Sequence, residues 1–113
     1  MKTSKADFSE FKKAFKEYVE LFGLKMYTVY YYHEKIDGAY AGIEIDNSGM
    51  AAQVKLSTEV DKDWDNSRNS AKHEAIHLLI SNLGALAQSR FITPDQVYEE
   101  NERIVAVLEK VIK

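Results

Sequence analysis

His73 and His77 stand four residues apart with Glu74 beside the first, in the run His73-Glu74-Ala75-Ile76-His77. A helix brings this spacing together, because positions i and i+4 lie one above the other on one helical face. The chain has three histidines, and two of them fall in this window. Two imidazoles stacked in this way can grip one metal ion. Glu74 lies about 100° around the helix from His73, so it borders such an ion without having to ligate it, as a general base toward metal-activated water must. The fold therefore has to supply a helix through 73–77 with one side at least partly enclosed.

The flanking sequence reads as an α+β chain built around that helix. Residues 4–22 form an amphipathic helix. Ser4 is its N-cap, Asp7 stands three residues on, and Phe8, Phe11, Phe15, Tyr18, Val19 and Phe22 follow helical spacing up to Gly23. Three strands are expected over 25–57. Lys25–Glu34 is rich in Tyr and Val, Ala39–Ile45 alternates with Ala41, Ile43 and Ile45 on one face, and Met50–Leu56 alternates with Ala52, Val54 and Leu56 inward. Asp37-Gly38 and Asn47-Ser48-Gly49 are turn sequences, and two short connections predict a three-stranded antiparallel meander.

The helix holding the two histidines is expected from Ser67 to Leu83, stopped by Gly84, with Ile76, Leu79, Ile80 and Leu83 as its buried stripe. A last helix opens on Thr93-Pro94-Asp95-Gln96, which offers an N-cap, a proline at the first helical position and a capping-box Gln. It runs to the C-terminus with Val97, Ile104, Val105, Leu108, Val111 and Ile112 as its apolar face. Between strands and helix, Asp61, Asp63 and Asp65 have the spacing of half a calcium loop. Asn66 stands where the turn glycine belongs and Lys72 where the bidentate Glu belongs, so these residues read as a solvated loop.

At 113 residues the chain fits one domain, taken as 1–113. With no cysteine, disulfides and thiolate metal sites are excluded, and any zinc must use His and carboxylate ligands. The net charge of −3 with scattered cations argues against a nucleic-acid groove. No apolar run reaches the roughly 20 residues needed to cross a bilayer, and the charged N-terminal stretch does not read as a secretory signal, so a cytoplasmic protein is expected.

A catalytic zinc takes three protein ligands. His73 and His77 supply two, and the third must be His33 or a carboxylate, the better source being the segment Tyr98-Glu99-Glu100-Asn101-Glu102-Arg103. With Val97, Ile104, Val105 and Leu108 as the buried centre, Glu100 lies roughly 75° and Glu102 roughly 125° from it, while Glu99 points to solvent. Periodicity favours Glu100 and leaves Glu102 open.

The order of helix, strands, H-E-x-x-H helix and glutamate-bearing helix resembles the gluzincin branch of zinc metallopeptidases, in particular their smallest phage and bacterial forms. The resemblance covers residues 38–112 in arrangement. Its specific motifs are confined to 73–77 and 98–105, in the phrases His73-Glu-Ala-Ile-His-Leu-Leu-Ile and Glu99-Glu-Asn-Glu-Arg-Ile-Val. It implies a minimal zincin-like fold, one zinc ion on His73, His77 and Glu100 or Glu102, Glu74 as the water-activating base, and a peptide or protein substrate. In the small relatives a glutamate two residues before an aliphatic pair is frequent, which here is Glu102 before Ile104-Val105. That pulls against the helical ranking and leaves the third ligand split.

The chain lacks the downstream glycine-and-histidine signature of metzincins and the second lobe of larger gluzincins. Tyr98, Arg90 and His33 are candidate electrophilic helpers. An extended peptide is expected to add along Met50–Leu56 if that strand is an edge. The competing expectation is a non-catalytic zincin-like module, with or without the metal, that serves in binding or structure.

Overall fold

The computed structural model describes residues 1–89 and 91–112. Helix α1 spans Lys5–Leu21. Its start is the reciprocal box expected from Ser4 and Asp7: the Asp7 amide donates to Ser4 Oγ at 3.0 Å and the Ser4 amide to Asp7 Oδ2 at 2.8 Å. It ends at Gly23, whose φ of 71° lies in the left-handed region, and the Leu24 amide reaches back to the Val19 carbonyl at 2.8 Å. Phe11, Phe15 and Val19 are buried, so the aromatic stripe is core.

Strands β1 (Thr28–His33), β2 (Ala41–Asp46) and β3 (Ala51–Leu56) form one sheet in the order β1-β3-β2. The expected antiparallel meander is corrected here: β2 and β3 are antiparallel, but β1 pairs with β3 in parallel, so the sheet is mixed. Asp37-Gly38 lies in the connection 34–40, which carries the chain past β3 to the far edge. Gly38 supplies the turn there with a φ of 80°. The connection is tied to the end of β3 by the Glu34 amide on the Leu56 carbonyl at 3.3 Å and the Ser57 amide on the Tyr40 carbonyl at 2.8 Å. Alternation has the same period in parallel and antiparallel pairing, so the pattern could not tell them apart. β3 takes the centre because its inward residues Ala52, Val54 and Leu56 are almost wholly buried. It is paired on both sides, which removes it as a docking edge; the edges are β1 and β2.

Helix α1 packs on one face of this sheet. Phe15 meets Tyr31 edge-on and Phe8 stacks on His33 with ring centroids 4.8 Å apart. Helix α2 runs Ser67–Ala87, with Asn66 as N-cap accepting from the Asn69 amide at 2.8 Å. It passes through Gly84 without stopping, a tolerable cost in a helix this long. Its buried stripe is Ala71, Glu74, Ala75, Leu78 and Leu79, against α1 and the sheet. Ile76 and Ile80, expected inside, are 43% and 40% exposed. Helix α3, Pro94–Val111, has the expected Thr93–Gln96 capping box and packs on α2. Its inward line is Val97, Glu100, Ile104, Val107 and Val111, rotated from the expected one so that Val105, Leu108 and Ile112 face solvent. Among the described residues no helix is long and apolar enough to cross a membrane.

Candidate metal centre

The H-E-x-x-H run lies mid-way along α2, where helical periodicity divides its three polar side chains between two environments. His73 and His77 are exposed, whereas Glu74 is 4% exposed and turned toward the sheet. The two imidazole Nε2 atoms lie 3.2 Å apart. His73, Glu74 and His77 place one potential ligand atom each within 4.8 Å of one another, and this group can hold a metal ion. Among the described residues no other set of His, Cys, Asp or Glu side chains does so.

Glu74 is the anomalous member. Its Oε2 is buried and has no hydrogen-bond partner. Burial pushes its carboxyl above the ordinary value, and the neighbouring His73 and His77 pull it part of the way back. An unsatisfied buried oxygen costs roughly 1–3 kcal/mol.

Glu74 also faces two cavities between α2 and edge strand β2. A cavity of about 320 Å³ opens on the Ala41 end beside His73. Another of about 670 Å³ opens beside His77, against Ile43 and Ile45. Glu74 lines both.

The carboxylates expected from α3 stand apart from this group. Glu100 is 6% exposed, accepts from Asn82 Nδ2 at 2.8 Å and from Arg103 Nε at 2.8 Å, and Arg103 also donates to the Leu79 carbonyl at 2.8 Å. Burial works against its ionisation, but the bonds from Arg103 and Asn82 outweigh it and hold the carboxyl below the usual range. Asn82 is five residues beyond His77, about 140° around the helix axis at 100° per residue, so Glu100 docks on a different flank of α2 from the histidines. Glu102 is exposed and lies outside the group as well.

The other candidates are placed as follows. His33 Nε2 is 2.7 Å from Thr3 Oγ1 and its ring lies on Phe8, an arrangement that serves packing. Tyr98 is 65% exposed. Arg90 lies outside the described residues. Asp61 accepts from Tyr40 Oη at 2.6 Å and from the Asp63 amide at 2.9 Å, the bonds of an ordered loop. Sequence reasoning missed two features. One is the Asn82–Glu100–Arg103 cluster, whose only local signal was the i, i+3 spacing of Glu100 and Arg103. The other is the convergence of Tyr40, Asp63, Trp64 and Asp65 on the cavity beside His73, which no local pattern announces.

No protein-family model, curated protein or solved structure matches this chain.

Proposed function

We propose that the chain is a zinc-dependent peptidase in which His73 and His77 hold the metal and Glu74 acts as the general base. One observation carries the reading: a buried carboxylate with an unpaired oxygen lies beside two imidazoles whose nitrogens are 3.2 Å apart. A tetrahedral ion with Zn–N bonds of about 2.0–2.1 Å spaces its nitrogen ligands about 3.3–3.4 Å apart, so the pair fits zinc with little adjustment. Zinc held there supplies Lewis acidity toward a carbonyl and makes a water molecule acidic near neutral pH. Glu74, held close to the histidines by α2, takes the proton of the attacking water and passes it to the leaving nitrogen. The surrounding cleft is walled by Ile43, Ile45 and Ile80. An extended peptide has an unpaired backbone edge to join on β2.

The third ligand is expected from α3, as Glu100 or Glu102, both of which stand apart from the metal group here. Glu100 has to exchange Arg103 for the metal; Glu102 has to be carried inward by α3. That unfinished ligand set is the observation favouring the second reading, a non-catalytic module that keeps the metal group for binding or structure. Cleavage of unstructured peptides by zinc-loaded protein separates the two. The peptidase reading expects cleavage that Glu74→Gln abolishes while zinc stays bound. Cleavage unaffected by Glu74→Gln, or none in wild type, leaves the binding module.

A further inference from the structure

The cleft between α2 and β2 has unlike ends. The cavity beside His73 is lined by Tyr40, Trp64, Asp63, Asp65, His73 and Glu74. It offers two exposed carboxylates and two aromatic rings, and among the described residues no Lys or Arg lines it. The cavity beside His77 is lined chiefly by Ile43, Ile45, Ile80, Leu83 and Ala87. Carboxylates alone would mark only a wet loop. Here a second, independent feature points to a ligand: Glu74, 4% exposed and with its Oε2 unpartnered, lines both cavities. The rings are also fixed in place, Trp64 Nε1 by Ser70 Oγ at 3.0 Å and Tyr40 Oη by Asp61 at 2.6 Å.

We propose that this cleft selects peptides carrying a Lys or Arg side chain on the His73 side of Glu74 and a bulky aliphatic side chain on the His77 side. The inference takes its ligand class from the peptidase reading and adds the side chains. A cation between Asp63 and Asp65 gains Coulomb attraction, and the Trp64 and Tyr40 rings that line the cavity offer cation–π attraction to it. At the other end Ile43, Ile45 and Ile80 bury an aliphatic group. Ala41, in the first cavity, and Ile45, in the second, are four residues apart on β2, a span of about 13 Å. A peptide of four or five extended residues therefore reaches both.

Trp64 is the single tryptophan of the chain and lines the acidic cavity, so its fluorescence reports occupancy without any catalysis. The probes are blocked pentapeptides with Lys and Leu at the two ends, in both orders, and counterparts with Glu in place of Lys, titrated into the full chain at low salt. The expected result is saturable change in Trp64 emission, with the better Lys peptide binding at least about tenfold tighter than its Glu counterpart. That preference should shrink in Asp63→Asn and in Asp65→Asn, and at high salt. Equal affinity for Lys and Glu peptides, a preference that survives both variants, or no response to any peptide overturns the proposal. The same peptides with zinc-loaded protein keep the two readings apart. Charge-selective binding without cleavage contradicts the peptidase and keeps this proposal; cleavage indifferent to charge does the reverse.

Discussion

His73 and His77 bring their Nε2 atoms to 3.2 Å of each other on the exposed side of α2, one turn apart, while Glu74 between them points inward. At that distance the two ring nitrogens can hydrogen-bond to each other, with donor and acceptor set by the tautomers. The buried carboxylate beside them has one oxygen with no partner.

That oxygen makes a stability prediction. Glu74→Leu removes a desolvated carboxylate and leaves an apolar group against the same core, so the metal-free protein should gain roughly 1–2 kcal/mol, read as a higher urea midpoint at unchanged slope. Loss of stability would mean that Glu74 is paired in solution.

Glu100 predicts a pH dependence of the metal-free protein. Its folded carboxyl is held, against the effect of burial, below the ordinary glutamate value of 4.5 by the bonds from Arg103 and Asn82. The unfolded chain therefore binds its proton first, and the stabilisation is present above that value and lost as pH falls through the lower folded one. Glu100→Gln should flatten this part of the acid limb and cost about 1–3 kcal/mol at neutral pH by leaving Arg103 without its partner, measured by denaturant melts across pH.

The phase of α2 is testable in its core. Leu78 is 1% exposed and Ile76 is 43% exposed. Leu78→Ala should cost about 2–5 kcal/mol and Ile76→Ala well under half of that, the order opposite to the one expected from a stripe centred on Ile76 and Ile80. Chemical denaturation of the two variants decides it.

Much of this fold is legible in the residues. Ser4 with Asp7, and Thr93 with Gln96, mark helix starts through contacts made within one turn, and both boxes form. The inward sets of β2 and β3 follow from alternation alone. Sheet order does not, because the parallel partner of β3 is set by the crossing of residues 34–40 and not by any local pattern. Helix phase failed in the same way. Leu79 is buried as expected, but Ile76 and Ile80 are as apolar as Leu78, and only the position of α1 and the sheet chooses which of these is buried. At the site, the spacing of His73, Glu74 and His77 was visible and their grouping follows from it. The cavity that joins Tyr40, Asp63 and Trp64 to His73 arises from tertiary contact and leaves no periodic trace.

The third ligand separates by single substitutions. Zinc affinity measured in Glu100→Gln and in Glu102→Gln should fall, by roughly 10-fold or more, in the one variant that loses a ligand. The residue whose replacement leaves affinity unchanged is ruled out. If Glu100 is the ligand, Arg103→Ala should tighten zinc binding by releasing the carboxylate.

The most direct measurement is zinc stoichiometry of the purified chain by titration and elemental analysis, with two variants alongside. The account predicts one zinc per wild-type chain, retained in Glu74→Gln and lost in His77→Ala. Wild-type protein that binds no zinc, or His77→Ala protein that binds it as tightly as wild type, would contradict it.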